Sequence, residues 1–130
     1  HDALPICIAF IQTITITDQR YEKAKHSVDF IQRYIFPGSC IPSLTALQNS
    51  ITESSDLKIY QVRDIGNHYA RTLALWREAF FKNVSQVKAL GFDDAFIRMW
   101  HFYLAYCEGG FKEKVISDIH LKLVKPRFRE

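Results

Sequence analysis

The chain lacks any apolar run approaching the ~18 residues a membrane-spanning helix needs, so no transmembrane helix is expected. Cysteine is scarce. Cys7, Cys40 and Cys107 are odd in number, far apart and in no CxxC pair, which argues against a disulfide framework and reads as buried free thiols in a reducing compartment. Charge of one sign is also in short supply: a formal net charge of +3 is too modest for nucleic-acid binding, although it permits weak attraction to an anionic membrane surface. GxGxxG, P-loop, GxSxG and HExxH motifs are all missing, and the five histidines never pair at metal-ligand spacing, so no metal site is expected. The first residues lack the basic region of a signal peptide. The chain does not begin with Met, and it reads as a piece of something longer.

What is present is apolar and aromatic. Of the 130 residues, 48% are hydrophobic, with 10 Phe and 6 Tyr, enough for one domain with a real core rather than disorder. Large apolar walls of this kind suit a lipid-handling protein, or equally an ordinary aromatic-rich core.

The chain is organised around Asp29 to Ser43, DFIQRYIFPGSCIPS. Phe30, Ile31, Tyr34 and Ile35 fall on one helical face by spacing. Pro37 removes a backbone donor, Gly38 can turn where other residues cannot, and Ser43 can cap a new helix. The stretch therefore reads as helix, rigid aromatic-Pro-Gly turn and helix restart. Phe36 is then either a core plug or one wall of a pocket, and apolar stripes at helical spacing favour the plug.

Around this element the order is strand, helices, strand, helices, strand. Ile6 to Ile16 is nearly unbroken apolar and β-branched, which predicts a strand buried on both faces, as in a parallel sheet. Gln12 is its one large polar side chain, either a satisfied core amide or a group aimed at a ligand. The connection from Arg20 to His26 is basic and reads as a solvated helix face, with a headgroup-facing patch as the alternative. Leu44, Leu47 and Ile51 make Ser43 to Ser54 amphipathic, and Asp56 to Val62 reads as a second strand. A long helix is predicted from about Ala70 to Leu90, with Leu73, Trp76, Phe80, Val84 and Val87 as its buried stripe and Gly91 at its end. Asp93 or Asp94 caps the next helix rather than forming a catalytic dyad. Its apolar side holds Phe96, Met99, Trp100, Tyr103 and Cys107, and Gly109-Gly110 should stop it. Ile119, Leu121 and Leu123 alternate with polar residues in Val115 to Val124, which suggests an antiparallel or edge strand. Three strands cannot cover all these apolar faces. Among the polar groups, Gln12, His68 and Tyr69 stand out.

Three stretches in order, DFIQRYIFPGSCIPS, HYARTLALW (His68 to Trp76) and FIRMWHFYLAYCEGGF (Phe96 to Phe111), resemble the C-terminal part of cyclopropane-fatty-acyl-phospholipid synthases, relatives of the mycolic acid cyclopropane synthases. The likeness runs from about Ile8 to Lys125. The resemblance implies an α/β, Rossmann-like S-adenosylmethionine-dependent methyltransferase fold. The chain would supply its last three strands and the helical insertion that covers the acyl chain, as a single partial domain over 1–130. The final strand would insert antiparallel between the two before it. Residues 1–7 depart from the pattern and look like a foreign or misread junction, or disorder. The family's glycine-rich cofactor motif lies upstream and is not in this chain.

Family chemistry moves a methyl from the sulfonium of S-adenosylmethionine to a cis double bond of a membrane phospholipid acyl chain. The resulting carbocation must be kept from water, and a base must take a proton so that the ring closes. The resemblance implies a bound bicarbonate ion held by the Tyr69 hydroxyl, by Gln12, where studied relatives have His, and by the backbone of Ile14. It also implies a substrate slot formed by Phe36, whose ring face could stabilise the cation, with Ile41, Tyr34 and Tyr103. The implied setting is the cytoplasm, peripheral to the inner membrane face. A methyl-branch or methoxy product, or a non-catalytic lipid-binding module, are the other readings the residues allow.

Overall fold

The computed structural model describes residues 8–129, so the expectations for residues 1–7, Cys7 included, lie outside the described residues. In chain order the elements are β1 (Ile8–Ile16), α1 (Asp18–Lys25), one π-helical turn (Ile31–Ile35), α2 (Leu44–Ser54), β2 (Lys58–Asp64), α3 (Gly66–Lys82), α4 (Val84–Ala89), α5 (Asp94–Lys112) and β3 (Ile116–Val124). The sheet runs β1-β3-β2, and β3 is antiparallel to both neighbours, as the resemblance implied.

Strand β3 organises the core because its alternation serves two buried faces. Ile119, Leu121 and Leu123 turn to one side, where Leu47 and Ile51 of α2 pack with Leu57 and Ile59. On the other side α3 and α5 pair and cover the start of the strand. There Ile116 packs on the cluster of Ala70, Leu73, Leu104 and Phe111. The antiparallel expectation holds, but β3 is central rather than at an edge. Of the polar positions between its apolar ones, Asp118 is buried, while His120 and Lys122 are half-buried against the rings of Phe10, Tyr60 and Phe128.

Strand β1 differs from expectation. It is antiparallel and outermost among the described residues, and Ile8, Phe10, Ile11 and Ile14 are exposed. An unbroken apolar run reports that both faces are suited to burial; here that burial is incomplete.

The long helix begins earlier than expected, at Gly66, and breaks at Asn83, whose side-chain amide donates to the Ala79 carbonyl at 2.7 Å. Asn side chains compete with the helix ladder in this way. Leu73 is buried as predicted, but Trp76 is 51% exposed and does not belong to the buried stripe. Asp93 caps α5, its Oδ1 accepting from the Phe96 N–H at 2.8 Å. Gly109-Gly110 does not stop α5, which runs on to Lys112. A Cβ on Gly110 would stand 3.1 Å from the Ile116 side chain, so that glycine permits the close approach of α5 to β3.

A buried carboxylate locks the helix pair. Arg77 of α3 donates through Nε and Nη2 to Glu108 Oε2 at 3.3 and 2.8 Å, and Lys112 Nζ donates to Oε1. The Lys112 and Arg77 hydrogen bonds hold the Glu108 carboxyl below its ordinary pKa of 4.5.

Candidate functional site

The site begins with the turn. Phe36 N–H donates back to the Ile31 carbonyl at 2.8 Å, closing the π-helical turn, and Ser39 N–H donates to the Phe36 carbonyl at 3.1 Å. Pro37 followed by Gly38 at φ +80 is the arrangement a type II turn requires. Gln32 braces the loop from inside. It exchanges hydrogen bonds with Asp29 at 2.9 Å each, and its Nε2 donates to the Ser39 carbonyl at 3.0 Å. The Tyr106 hydroxyl donates to Asp29 Oδ2 at 3.2 Å, and the Phe30 ring meets Phe102 edge-on at 4.6 Å, tying the loop to α5. Ser43 restarts the helix, its Oγ accepting from Ala46 N–H at 3.1 Å.

Between this braced loop, α5 and the end of β1 lies a cavity of about 660 Å³. Its walls are mainly apolar: Ile14 and Ile16 from β1, Phe36 and Ile41 from the loop, Tyr103 and Phe111 from α5. Volumes of this order suit a small organic ligand or an alkyl chain. The polar groups along the α5 wall are held neutral. Burial pushes the Tyr103 phenol above its ordinary 10, with Cys107 and Tyr69 adding to it. Burial does the same to Tyr106, helped by the neighbouring Asp29. The Cys107 thiol is pushed up to about 11, by burial first and Asp29 second. The arrangement is a mainly apolar pocket with neutral polar groups along α5, and with Arg20, Asp29 and Glu113 also in its lining.

Of the residues singled out in the sequence, Ile14, Phe36, Ile41 and Tyr103 meet at this cavity. Phe36 is a wall rather than a core plug: it is 55% exposed, its ring 6.4 Å from that of Tyr103. Tyr34 stays outside the lining, exposed, with its ring against Phe30 and beneath the Arg33 guanidinium. Tyr69 is half-buried behind the lining, its ring 5.2 Å from that of Phe111, and its hydroxyl has no hydrogen bond among the described residues. Gln12 is exposed, yet its Nε2 donates to Asp118 Oδ2 at 2.8 Å. Both described cysteines are free, but Cys40 is exposed and Cys107 half-buried, so neither is the fully buried thiol expected. Helix α1 buries no residue, in keeping with a solvated basic face.

The sequence reading missed Gln32, Tyr106 and Asp118. Tyr106 could have been found from Tyr103, three residues earlier on the same helix face. Asp118 alternates with His120 and Lys122, so its position looked solvated; the packing of α3 and α5 on β3 is what buries it.

The comparisons with known proteins agree with this architecture. The mycolic acid cyclopropane synthetase family model matches residues 7–121. The tuberculostearic acid methyltransferase UfaA1 of Mycobacterium tuberculosis is 38% identical over 88% of this chain and 27% of its own length. The cyclopropane-fatty-acyl-phospholipid synthase of Escherichia coli K12 is 30% identical over 74% of this chain and 25% of its own. The solved structure of mycolic acid cyclopropane synthase CmaA1, complexed with SAH and CTAB, superposes with a TM-score of 0.78 at 25% identity, over 91% of this chain and 44% of that one. The cyclopropane synthase MmaA2 of M. tuberculosis gives 0.80 at 24% identity, over 93% and 45%. The chain thus spans about a quarter of the length of these curated relatives and under half of the solved structures, and shares the fold of their matching part. With that fold and a family match over nearly its whole length, the chain belongs to the mycolic acid cyclopropane synthetase family.

Proposed function

We propose that this chain is the acyl-chain-binding C-terminal part of an S-adenosylmethionine-dependent methyltransferase that adds a methylene bridge across the cis double bond of unsaturated phospholipid acyl chains. The observation that carries the proposal is the apolar cavity between the Phe36 turn and α5, in a chain of this family. A carbocation formed on an alkyl chain survives only where water is excluded. The apolar side chains of Ile14, Ile41 and Phe111 favour that exclusion, Phe36 offers a ring face to positive charge, and along α5 neutral Tyr103 and Cys107 offer no anionic nucleophile to trap the cation.

S-adenosylmethionine supplies the methyl group in such chemistry. At the start of α3, Gly66 lines a second cavity of about 410 Å³ and is packed so closely on Ser117 that a Cβ there would collide with its hydroxyl. Toward bicarbonate, one Gln12 N–H is engaged by Asp118 and the second is left, while the Tyr69 hydroxyl, without a hydrogen bond among the described residues, stands behind the lining that includes Ile14.

Peripheral contact with the cytoplasmic membrane surface is part of the proposal. Phe36 and Arg20 line the cavity and are exposed, Arg33 and Tyr34 are exposed on the same loop element as Phe36, and no described helix is long and apolar enough to cross a membrane. A second reading, a methyl-branched product, is favoured by one observation. UfaA1, named as a methyltransferase, matches at 38% identity, against 30% for the E. coli cyclopropane synthase.

The test is product analysis by mass spectrometry and NMR after incubating the complete methyltransferase with S-adenosylmethionine and vesicles of unsaturated phospholipid. A ring product supports the first reading and a branch selects the second. Unmodified lipid, with acyl binding intact, leaves only a lipid-binding module.

A further inference from the structure

Around the cavity mouth the surface is aromatic. The Phe30 ring meets that of Tyr34 at 5.4 Å and that of Phe102 at 4.6 Å, and Phe102 stacks on Tyr106 at 5.8 Å. These four rings form one contiguous patch across the loop and α5, and Tyr34, Phe102 and Tyr106 are exposed. Val28, 73% exposed, stands two residues before Phe30 on the same loop. Phe36 and Tyr106 belong both to the exposed surface and to the cavity lining, so the cavity opens beside this patch. Single exposed apolar residues are ordinary, whereas a contiguous group of large ones marks a docking surface.

Charge decides what docks there. From residue 20 to residue 36, Arg20, Lys23, Lys25 and Arg33 stand against two carboxylates, Glu22 and Asp29. None of these cations is in an ion pair among the described residues. Asp29 is engaged within the fold, accepting from the Gln32 N–H and the Tyr106 hydroxyl, and Glu22 lies 3.7 Å from His26. Arg20 lines the cavity, Lys23 follows it by about one turn of α1, and the Arg33 guanidinium rests over the Tyr34 ring at 5.4 Å. Glu113, just after α5, is the remaining carboxylate in the lining. Aromatic rings with unpaired cations beside them match an anionic phospholipid surface, where hydrocarbon lies beneath phosphate. Leu90 and Phe92, at the turn between α4 and α5, are exposed too but lack that complement. There Lys88 is paired with Asp94 at 2.9 Å, and Asp93 caps α5.

We propose that Val28, Phe30 and Tyr34 of the loop, with Phe102 and Tyr106 of α5, form the face that enters an anionic bilayer, with Lys23 and Arg33 at its phosphates. An acyl chain then passes from the bilayer into the cavity beside Phe36 without crossing water. This deepens the methyltransferase reading and rests on it.

The experiment is sedimentation of the complete methyltransferase that carries this segment with vesicles of phosphatidylglycerol and phosphatidylcholine in equal parts, and with phosphatidylcholine alone. Wild type should prefer the anionic vesicles, and added salt should shrink the preference. Lys23→Glu combined with Arg33→Glu should weaken binding to the anionic vesicles about tenfold or more. The same pair should leave displacement of a fluorescent fatty acid unchanged, which shows that the fold and cavity are intact. Leu90→Glu should bind vesicles as wild type does. Phe102→Trp should be quenched by brominated acyl chains beyond the quenching of the native Trp76 and Trp100, and Leu90→Trp should not. Equal binding by wild type and the charge pair, no binding to either vesicle, or quenching at Leu90→Trp in place of Phe102→Trp would overturn the proposal. So would lipid-free self-association that Phe102→Ser abolishes while vesicle binding persists, or capture of an acidic protein with vesicles ignored. None of these readouts needs turnover, so vesicles bound as described but left unmethylated would count against the methyltransferase reading alone.

Discussion

Replacing Gly109 by Leu should weaken acyl-chain binding while stabilising the fold. Gly109 lies inside α5 and lines the cavity, and nothing stands within 4 Å of where its Cβ would be. A leucine there fills space instead of displacing protein atoms. Its roughly four carbons would exclude about as many methylenes of a bound alkyl chain, and at about 0.8 kcal/mol per buried CH₂ this costs about 3 kcal/mol. That is about two orders of magnitude in affinity. The same substitution removes a helix-interior glycine, which should raise stability by about 0.8 kcal/mol. The two effects have opposite signs, so global damage cannot pass for cavity filling. The assay is displacement of a fluorescent fatty acid from the chain, run beside thermal unfolding. Gly109→Ala is the control: it should gain similar stability and keep affinity within a few-fold. If Gly109→Leu unfolded at or above the wild-type temperature and bound the fatty acid as tightly as wild type, the cavity would not be where the alkyl chain lies.

Other expectations follow from the same geometry. Cys40 is exposed, whereas Cys107 is half-buried and pushed up to about 11, so N-ethylmaleimide at pH 8 should modify Cys40 before Cys107; peptide mass mapping of the timed reaction checks this. The Glu108 carboxyl is held below 4.5 in the folded chain by Lys112 and Arg77. Its contribution to stability is therefore present above about pH 4.5 and is lost as pH falls through the lowered value. Glu108→Gln should lower the melting temperature at pH 7 and flatten its decline in acid. Tyr69→Phe should cut methyl transfer by the complete enzyme and leave fatty-acid displacement unchanged; equal loss of both would assign the phenol to packing. Calorimetric titration of the chain with S-adenosylmethionine should show no micromolar binding.

Local signals carried much of the fold. The Pro37-Gly38 turn, the Ser43 and Asp93 caps and the alternation of Ile119, Leu121 and Leu123 are each visible within a few residues, and each appears in the structure. Non-local facts did not show. Whether β3 is central or at an edge depends on which strands flank it, and β1 joins it across roughly a hundred residues. Gly109-Gly110 resembles a helix stop because glycine usually punctuates; its use for close approach to Ile116 depends on a strand that comes later. The site was legible in part for the same reason. Ile14, Phe36, Ile41 and Tyr103 are apolar or aromatic residues at the edges of recognisable elements, and the fold gathers them. The Asp118 partnership with Gln12 spans 106 positions, and no periodicity announces it.

The placement of β3 sets an order of events during synthesis. Among the described residues, β1 and β2 each pair with β3 and not with each other, so the sheet that joins them forms only once β3 has been made. Both strands must wait on the ribosome for β3 while the helices between them form from near neighbours, and long-range antiparallel pairing is the slow step in such topologies. A chain cut before Ile116 would retain its helical hairpin and lose the strand that joins β1 to β2.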